Sequence, residues 1–302
     1  MSLIKISGSK GEYSFDPDFS FLRAGKFSAV FIGKDECNRN VLVKQLTTVS
    51  DSHERNLQFD HPTFVGILDE CKLNSSHYLI RSYIEGDSLF NLSKSAVFKK
   101  KSNRDLVVHV IREVGEALFA LHSAGMMHGD IRPHNVLLEF VGKVPKVDSP
   151  VRIIDLAMMR EVGSVPTHRG YALLYSPPEL ILKKYTLSGA ASDQYSMAIM
   201  MYELLSGTIP FKHVNPELLT HLMLVHPLKE VDGINGATLK ILQKASSRFS
   251  FKRPPVNLDH EELSTQLKQA IDMRYENVKV FAEELASSLL NERKSVFSFF
   301  RS

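Results

Sequence analysis

Tryptophan is absent and cysteine occurs only twice, as Cys37 and Cys71. Two isolated thiols make no disulfide framework, and neither a CxxC pair nor a Cys/His spacing suggests a zinc site. Reduced thiols fit a cytoplasmic location. Long apolar runs are missing too: the most apolar internal stretch, MAIMMYELL, is short and interrupted by Glu203. The opening MSLIKISGSKGEYSF has no apolar core of the kind a signal peptide needs. Charge of one sign is not in excess, since 37 Lys and Arg stand against 34 Asp and Glu for a formal charge of +3. That balance points to no nucleic-acid partner and, with no spanning segment, to no membrane partner. Internal repeats and low-complexity segments are also lacking.

What is present is an ordinary globular mixture, 43% hydrophobic and 24% charged over 302 residues, enough for one large domain or two lobes. The first ~80 residues are strand-rich. SAVFIG (28–33), NVLVKQL (40–46) and HYLIRSYI (77–84) carry β-branched and aromatic residues between turn signals such as DECNRN. After the turn-like EGDS the apolar residues take helical spacing, at Leu106, Val107, Val110, Val114, Leu118 and Leu121. Asn103 stands as N-cap of that helix and Gly125 just beyond its end. A second helix is expected over 192–206, with Tyr195, Ile199 and Tyr202 on one face, Gly207 ending it and Pro210 following. The basic run VFKKKSNR (97–104) reads as a solvated lead-in to the first helix.

The chemistry concentrates in MMHGDIRPHNVLLE, residues 126–139, where Asp130 precedes Asn135 by the interval that suits phosphoryl transfer. There a carboxylate accepts the acceptor's hydroxyl proton and an amide helps hold the metal bridging the nucleotide phosphates. Upstream, LRAGKFSAVF (22–31) followed by VLVK (41–44) would lay backbone N–H groups over phosphates and aim the Lys44 ammonium at them. Downstream, VRIIDLA (151–157) sets Asp155 directly after an apolar strand, where a carboxylate can hold Mg²⁺. Taken singly, each piece has a plainer reading: a turn glycine, an exposed strand lysine, a turn aspartate.

YSPPEL (175–180) and SDQYSMAIMMYELLSGTIPF (192–211) then follow in order. With them, the chain resembles a eukaryotic-like serine/threonine protein kinase from about Phe19 to Leu290. The resemblance implies an α+β fold of two lobes: a small antiparallel sheet over 1–84, a mainly helical lobe over 85–290, and a tail over 291–302. It implies Asp130 as catalytic base, Lys44 as the phosphate-binding lysine, and Asn135 and Asp155 as metal ligands. ATP and Mg²⁺ would bind in a cleft near Ile84, with Arg23, Gly25 and Val30 lining the nucleotide site. Arg132, two residues after Asp130, is the basic residue of the serine/threonine pattern, so a protein Ser or Thr is the expected acceptor. Asp193 would hold the catalytic-loop backbone, and His128 would be structural. Glu179 would pair with a late arginine, Arg274 in MRYENVKVF or its rival Arg253.

Departures from the pattern keep other readings open. The Gly-rich loop retains only Gly25, with Arg23 and Ser28 where glycines are usual, and a Cβ limits how closely backbone approaches phosphate. The helix-borne acid for Lys44 is either Glu54 or not there, Glu54 being then a solvated carboxylate. Arg81 falls at the back of the nucleotide pocket, either buried and needing a partner or turned outward by one residue of register. DLA stands for DFG, and Gly129 replaces the arginine before the catalytic Asp. A phosphate on Ser164, Thr167 or Tyr171 would therefore lack its usual receiver, and Arg160 and Arg169, in the same stretch, are not expected to tie that stretch to the catalytic loop. EFVGKVPKVDSP (139–150) lengthens a hairpin. The alternatives are a pseudokinase scaffold and, since HGD also occurs there, a small-molecule phosphotransferase of the aminoglycoside or choline kinase type.

Overall fold

The computed structural model describes residues 3–24, 28–46, 59–95, 103–142, 144–166, 172–249 and 257–299. The chain divides into two compact units, Met1–Glu85 with Ile154–Ala157, and Gly86–Ile153 with Met158–Ser302.

The first unit is built on an antiparallel sheet of β1 (Ile4–Ser7), β2 (Glu12–Phe15), β3 (Phe21–Ala24), β4 (Ser28–Asp35), β5 (Asn40–Leu46), β6 (Ile67–Leu73) and β7 (Ser76–Ser82). Its order is β1-β2-β4-β5-β7-β6, with β3 also pairing β4. The expected strands over 28–33, 40–46 and 77–84 correspond to β4, β5 and β7. The β1–β2 hairpin was not anticipated, although IKIS and EYSF alternate across the turn GSKG. Gly8 bridges Cys71 of β6, so the two outer strands meet and the sheet curls round its apolar face. Ile6, Phe15, Phe31, Val43, Tyr78 and Ile80 fill that interior, where the Phe15 ring lies 4.8 Å from Phe31 and 5.8 Å from Tyr78. Such aromatic packing contributes beyond area alone. A register shift between Ile67 and Asp69 turns the Asp69 carboxylate inward. There it accepts from Ser9 N (3.0 Å), Ser9 Oγ (2.9 Å), Lys10 N (2.8 Å) and Tyr13 Oη (3.1 Å). This buried anion is thus satisfied by the turn that closes the sheet.

The second unit is mainly helical: α1 (Leu89–Lys94), α2 (Arg104–Ser123), α3 (Pro178–Ile181), α4 (Ala190–Ser206), α5 (Pro216–Val225), α6 (Gly236–Ala245), α7 (His260–Asp272) and α8 (Val278–Phe299). Short strands β8 (Gly86–Ser88), β10 (Val136–Glu139) and β11 (Val151–Ile153) form one small sheet, and β9 (Met126–Met127) pairs β12 (Arg160–Glu161). α2 begins after Asn103, and Gly125 beyond its end takes φ +75°, a conformation open to glycine at little cost. It packs on α8 at Gly115, where a Cβ would stand 2.5 Å from that of Ala282. α4 departs from the expected single apolar face. Side chains from Ser192 to Tyr202 are buried all round it, as a central helix requires. Gly207 at φ +72° ends it and donates to Glu203 O. The extended hairpin of 139–150 is pinned at its base by Arg152 on Glu139 (2.8 Å) and by His109 Nε2 on Ser149 O (2.9 Å). The basic run 97–104 lies outside the described residues apart from its last two positions.

Candidate active site

The candidate side chains fall into two groups, one in each unit. In the first, β5 presents Lys44 opposite Val30 of β4 and Leu79 of β7. Lys44 Nζ lies 3.1 Å from Asp155 Oδ1. Asp155 has φ +66°, a left-handed conformation that Asp tolerates better than most residues. Val30 is buried and Ile84 half-buried. Arg23 pairs with Val30 through its backbone in β3. Gly25 and Glu54 lie outside the described residues; Asp155 is a partner of Lys44 among those described. Arg81 is 4% exposed, which corrects the outward-turned alternative.

In the second unit, Met127 of β9 delivers the chain into a loop that bends at Gly129, φ +79°. That bend turns two successive amides toward one carboxylate: His128 N donates to Asp193 Oδ2 (2.7 Å) and Gly129 N to Asp193 Oδ1 (2.8 Å). His122 Nε2 also meets Asp193 Oδ2 at 2.9 Å. Burial opposes the charge on Asp193, yet the hydrogen bond from His122 and the Gly129 amide hold its carboxyl below the usual range. His128 is fully buried and its Nδ1 accepts the Asp130 amide at 3.2 Å, a structural task.

Asp130 follows, with its carboxylate oriented from two sides. Asn135 Nδ2 donates to Asp130 Oδ2 (2.7 Å) and to Asp130 O (2.9 Å), while Arg132 Nε stands 3.3 Å from Oδ2. Pro133 and the 3₁₀ turn Pro133–Asn135 bring Asn135 back over the aspartate. Asn135 is 1% exposed, and its Oδ1 has no hydrogen-bond partner among the described residues. A buried amide oxygen left over in this way is a donor a hard cation can use. In the first unit the Asp155 carboxylate is an oxygen donor of the same type, and each of the two residues by itself suits Mg²⁺ by donor chemistry. Among the described residues no cluster of three His, Cys, Asp or Glu side chains could hold a metal.

Sequence reasoning passed over Tyr175 and Glu203. Tyr175 Oη donates to Glu203 Oε2 at 2.6 Å. Burial raises the Glu203 carboxyl above its ordinary value, against the opposing hydrogen bond from Tyr175. Burial, the same bond and the Glu203 charge raise the Tyr175 phenol; the Arg132 charge opposes that rise and the Asp130 charge adds to it. Their separation of 28 residues leaves no sequence signal, because the partners are brought together only by packing.

Arg160 requires a correction. It is 8% exposed rather than part of a free stretch, and its guanidinium lies beside Gly129 in the loop that leads to Asp130. Thr167, Arg169 and Tyr171 lie outside the described residues. Deeper in the unit, Arg274 Nη1 and Nη2 grip Glu179 Oε1 (2.7 Å) and Oε2 (3.0 Å), and Ser192 Oγ adds 2.8 Å to Oε1. Arg274 is therefore a partner of Glu179; Arg253 is outside the described residues.

No helix among the described residues is long and apolar enough to cross a membrane. The family description "Protein kinase domain" matches residues 20–294. A protein named probable serine/threonine-protein kinase, from Clostridium perfringens, is 27% identical over 64% of this chain and 27% of its own length. The serine/threonine-protein kinase PkaB of Streptomyces coelicolor is 25% identical over 72% of the chain and 51% of its own length. PrkC of Bacillus subtilis, also named a serine/threonine-protein kinase, is 24% identical over 82% of the chain and 37% of its own length. The chain thus spans from about a quarter to half of these relatives. With a curled antiparallel sheet in one unit, a helical second unit, and the family match running across both, the chain belongs to the protein kinase family and has its two-lobed fold.

Proposed function

We propose that the chain transfers the γ-phosphoryl group of ATP to a Ser or Thr hydroxyl of a protein. The observation that carries this reading is Asn135, whose amide nitrogen orients the Asp130 carboxylate while its buried oxygen is left over for a cation. Asp130 accepts the proton of the attacking hydroxyl, and its orientation from two sides lowers the entropic cost of reaching that geometry. The Lys44 ammonium binds phosphate oxygens, and Asp155, its 3.1 Å neighbour, keeps that side chain extended from β5. Asn135 and Asp155 would hold Mg²⁺, which neutralises charge on the phosphates when bound. Arg132 favours Ser and Thr acceptors by resemblance to the family, and the names of the relatives support the same class. Cys37 and Cys71 are both unpaired, which suits a cytoplasmic location.

A scaffold with little transferase activity is the second reading, and buried Arg81 favours it, since a guanidinium in a strand interior takes apolar volume. Incubation with γ-labelled ATP, Mg²⁺ and a generic basic protein, followed by phosphoamino-acid analysis, separates the two. Label on Ser or Thr that Asp130→Ala lowers about 100-fold or more supports transfer. Binding of nucleotide without transfer, or equal label from Asp130→Ala, establishes the scaffold.

A further inference from the structure

Gly129 has no side chain, and Arg160 stands in the space one would take. A Cβ at 129 would be 2.6 Å from Arg160 Nη1 and 2.9 Å from Met158 O, and would also strain the backbone at φ +79°. β12 carries Arg160 there by pairing it with Met127, two residues before Gly129 in the chain. The guanidinium then donates outward in three directions: Nη1 to Met158 O (3.1 Å), Nη2 to Ser188 Oγ (3.1 Å) and Nε to Ser164 O (3.4 Å). Ser188 is itself fixed, donating to Tyr185 O and accepting Gly163 N at its carbonyl (2.9 Å). One cation therefore joins the segment before β12, the turn after it and the approach to α4. Burial disfavours its charge and the Asp193 carboxylate opposes that effect. The same carboxylate holds the amides of His128 and Gly129.

We propose that Arg160 is a positioning residue. It packs into the volume vacated at Gly129 and ties residues 158–164 to Ser188 beside the loop that carries Asp130, with no phosphate on that segment required. The proposal rests on the kinase reading only for its effect on rate. Gly129 and Arg160 form a matched pair: the positive φ and the nearby Met158 carbonyl call for a glycine, the guanidinium occupies the space this leaves, and carbonyls and a hydroxyl satisfy it. No other residue replaces its three donors in a fixed fork.

The test uses the full chain after phosphatase treatment. Val162, Gly163 and Ser164 donate their amides to Gly125 O, Ser188 O and Glu161 O, so their hydrogen exchange reports the clamp directly. In Arg160→Met, exchange at these amides and at His128 and Gly129 should rise about tenfold or more. The kcat should fall about tenfold with KM for ATP within about twofold, and Arg160→Lys should lie between the two. Gly129→Ala should lower Tm more in wild type than in an Arg160→Ala background, because the smaller side chain removes the clash. Exchange unchanged in Arg160→Met, an equal Tm loss from Gly129→Ala in both backgrounds, or a kcat unaffected while exchange rises, each overturns the proposal. So does faster exchange in the wild type after phosphatase than before it. Should wild type transfer no phosphate at all, the kinase reading fails alone, and the exchange and Tm cycle still decide whether Arg160 holds the loop.

Discussion

Replacing Glu179 or Arg274 removes one half of a bidentate pair whose side chains are 0% and 1% exposed. The charge left behind has no water to turn to, and breaking such a pair costs about 3–5 kcal/mol. The structure ranks the two halves. After Glu179→Ala, Arg274 still donates from Nη1 to Ala191 O (2.9 Å) and from Nε to Ser247 O (3.2 Å), so the loss belongs near about 3 kcal/mol. After Arg274→Met, Glu179 keeps the Ser192 hydroxyl as its side-chain donor among the described residues, which places that loss near about 5 kcal/mol. At about 2–4 °C per kcal/mol for a domain of this size, thermal unfolding should show Tm falling by roughly 6–12 °C and roughly 10–20 °C. The double variant Glu179→Leu/Arg274→Met replaces both charges by apolar groups and should lose less than either single variant. Single losses below about 1 kcal/mol, or losses that simply add in the double variant, would refute the reasoning.

Asp193 supplies a pH signature. Its folded pKa lies below the ordinary 3.8, so its contribution is present above that value and is lost as pH falls through the lower folded one. In acid unfolding, the stability gap between wild type and Asp193→Asn should be widest above pH 3.8 and close below it; a gap independent of pH would contradict the assignment. At the crossing of α2 and α8, Gly115→Ala drives a methyl to 2.5 Å from the Ala282 Cβ and should cost about 1–3 kcal/mol in denaturant unfolding. Adding Ala282→Gly should return part of that loss, and no recovery would place the cost elsewhere.

Local signals were legible where chemistry and periodicity are local. β5 follows NVLVKQL residue for residue, because alternating β-branched residues between turns leave few options. Gly125 and Gly207 mark the ends of α2 and α4 through the positive φ that their turns demand. Asp193 and the Glu179–Arg274 pair were readable only through family resemblance, since their partners lie 64 and 95 residues away. What escaped was set by packing. The β1–β2 hairpin is short and half polar, and it folds onto the sheet because Asp69 gathers its turn. α4 looked one-sided because Tyr195, Ile199 and Tyr202 share a stripe, whereas Met197, Met200 and Met201 are buried on its other sides. Arg160 looked like a loop cation until β12 set it against a glycine that lies about thirty residues upstream. A charged side chain in a motif-rich stretch carries no mark of its own burial.

The most direct measurement is the single-turnover rate of γ-phosphoryl transfer from ATP to a peptide hydroxyl, with Mg²⁺ present, for wild type beside Asp130→Asn. The substitution keeps the size of the side chain and its place against Asn135 while removing the base. Transfer by wild type with a loss of about 10²–10⁴-fold in Asp130→Asn is the predicted result. Equal rates in the two proteins, or no transfer by a wild type that binds nucleotide, would contradict the account.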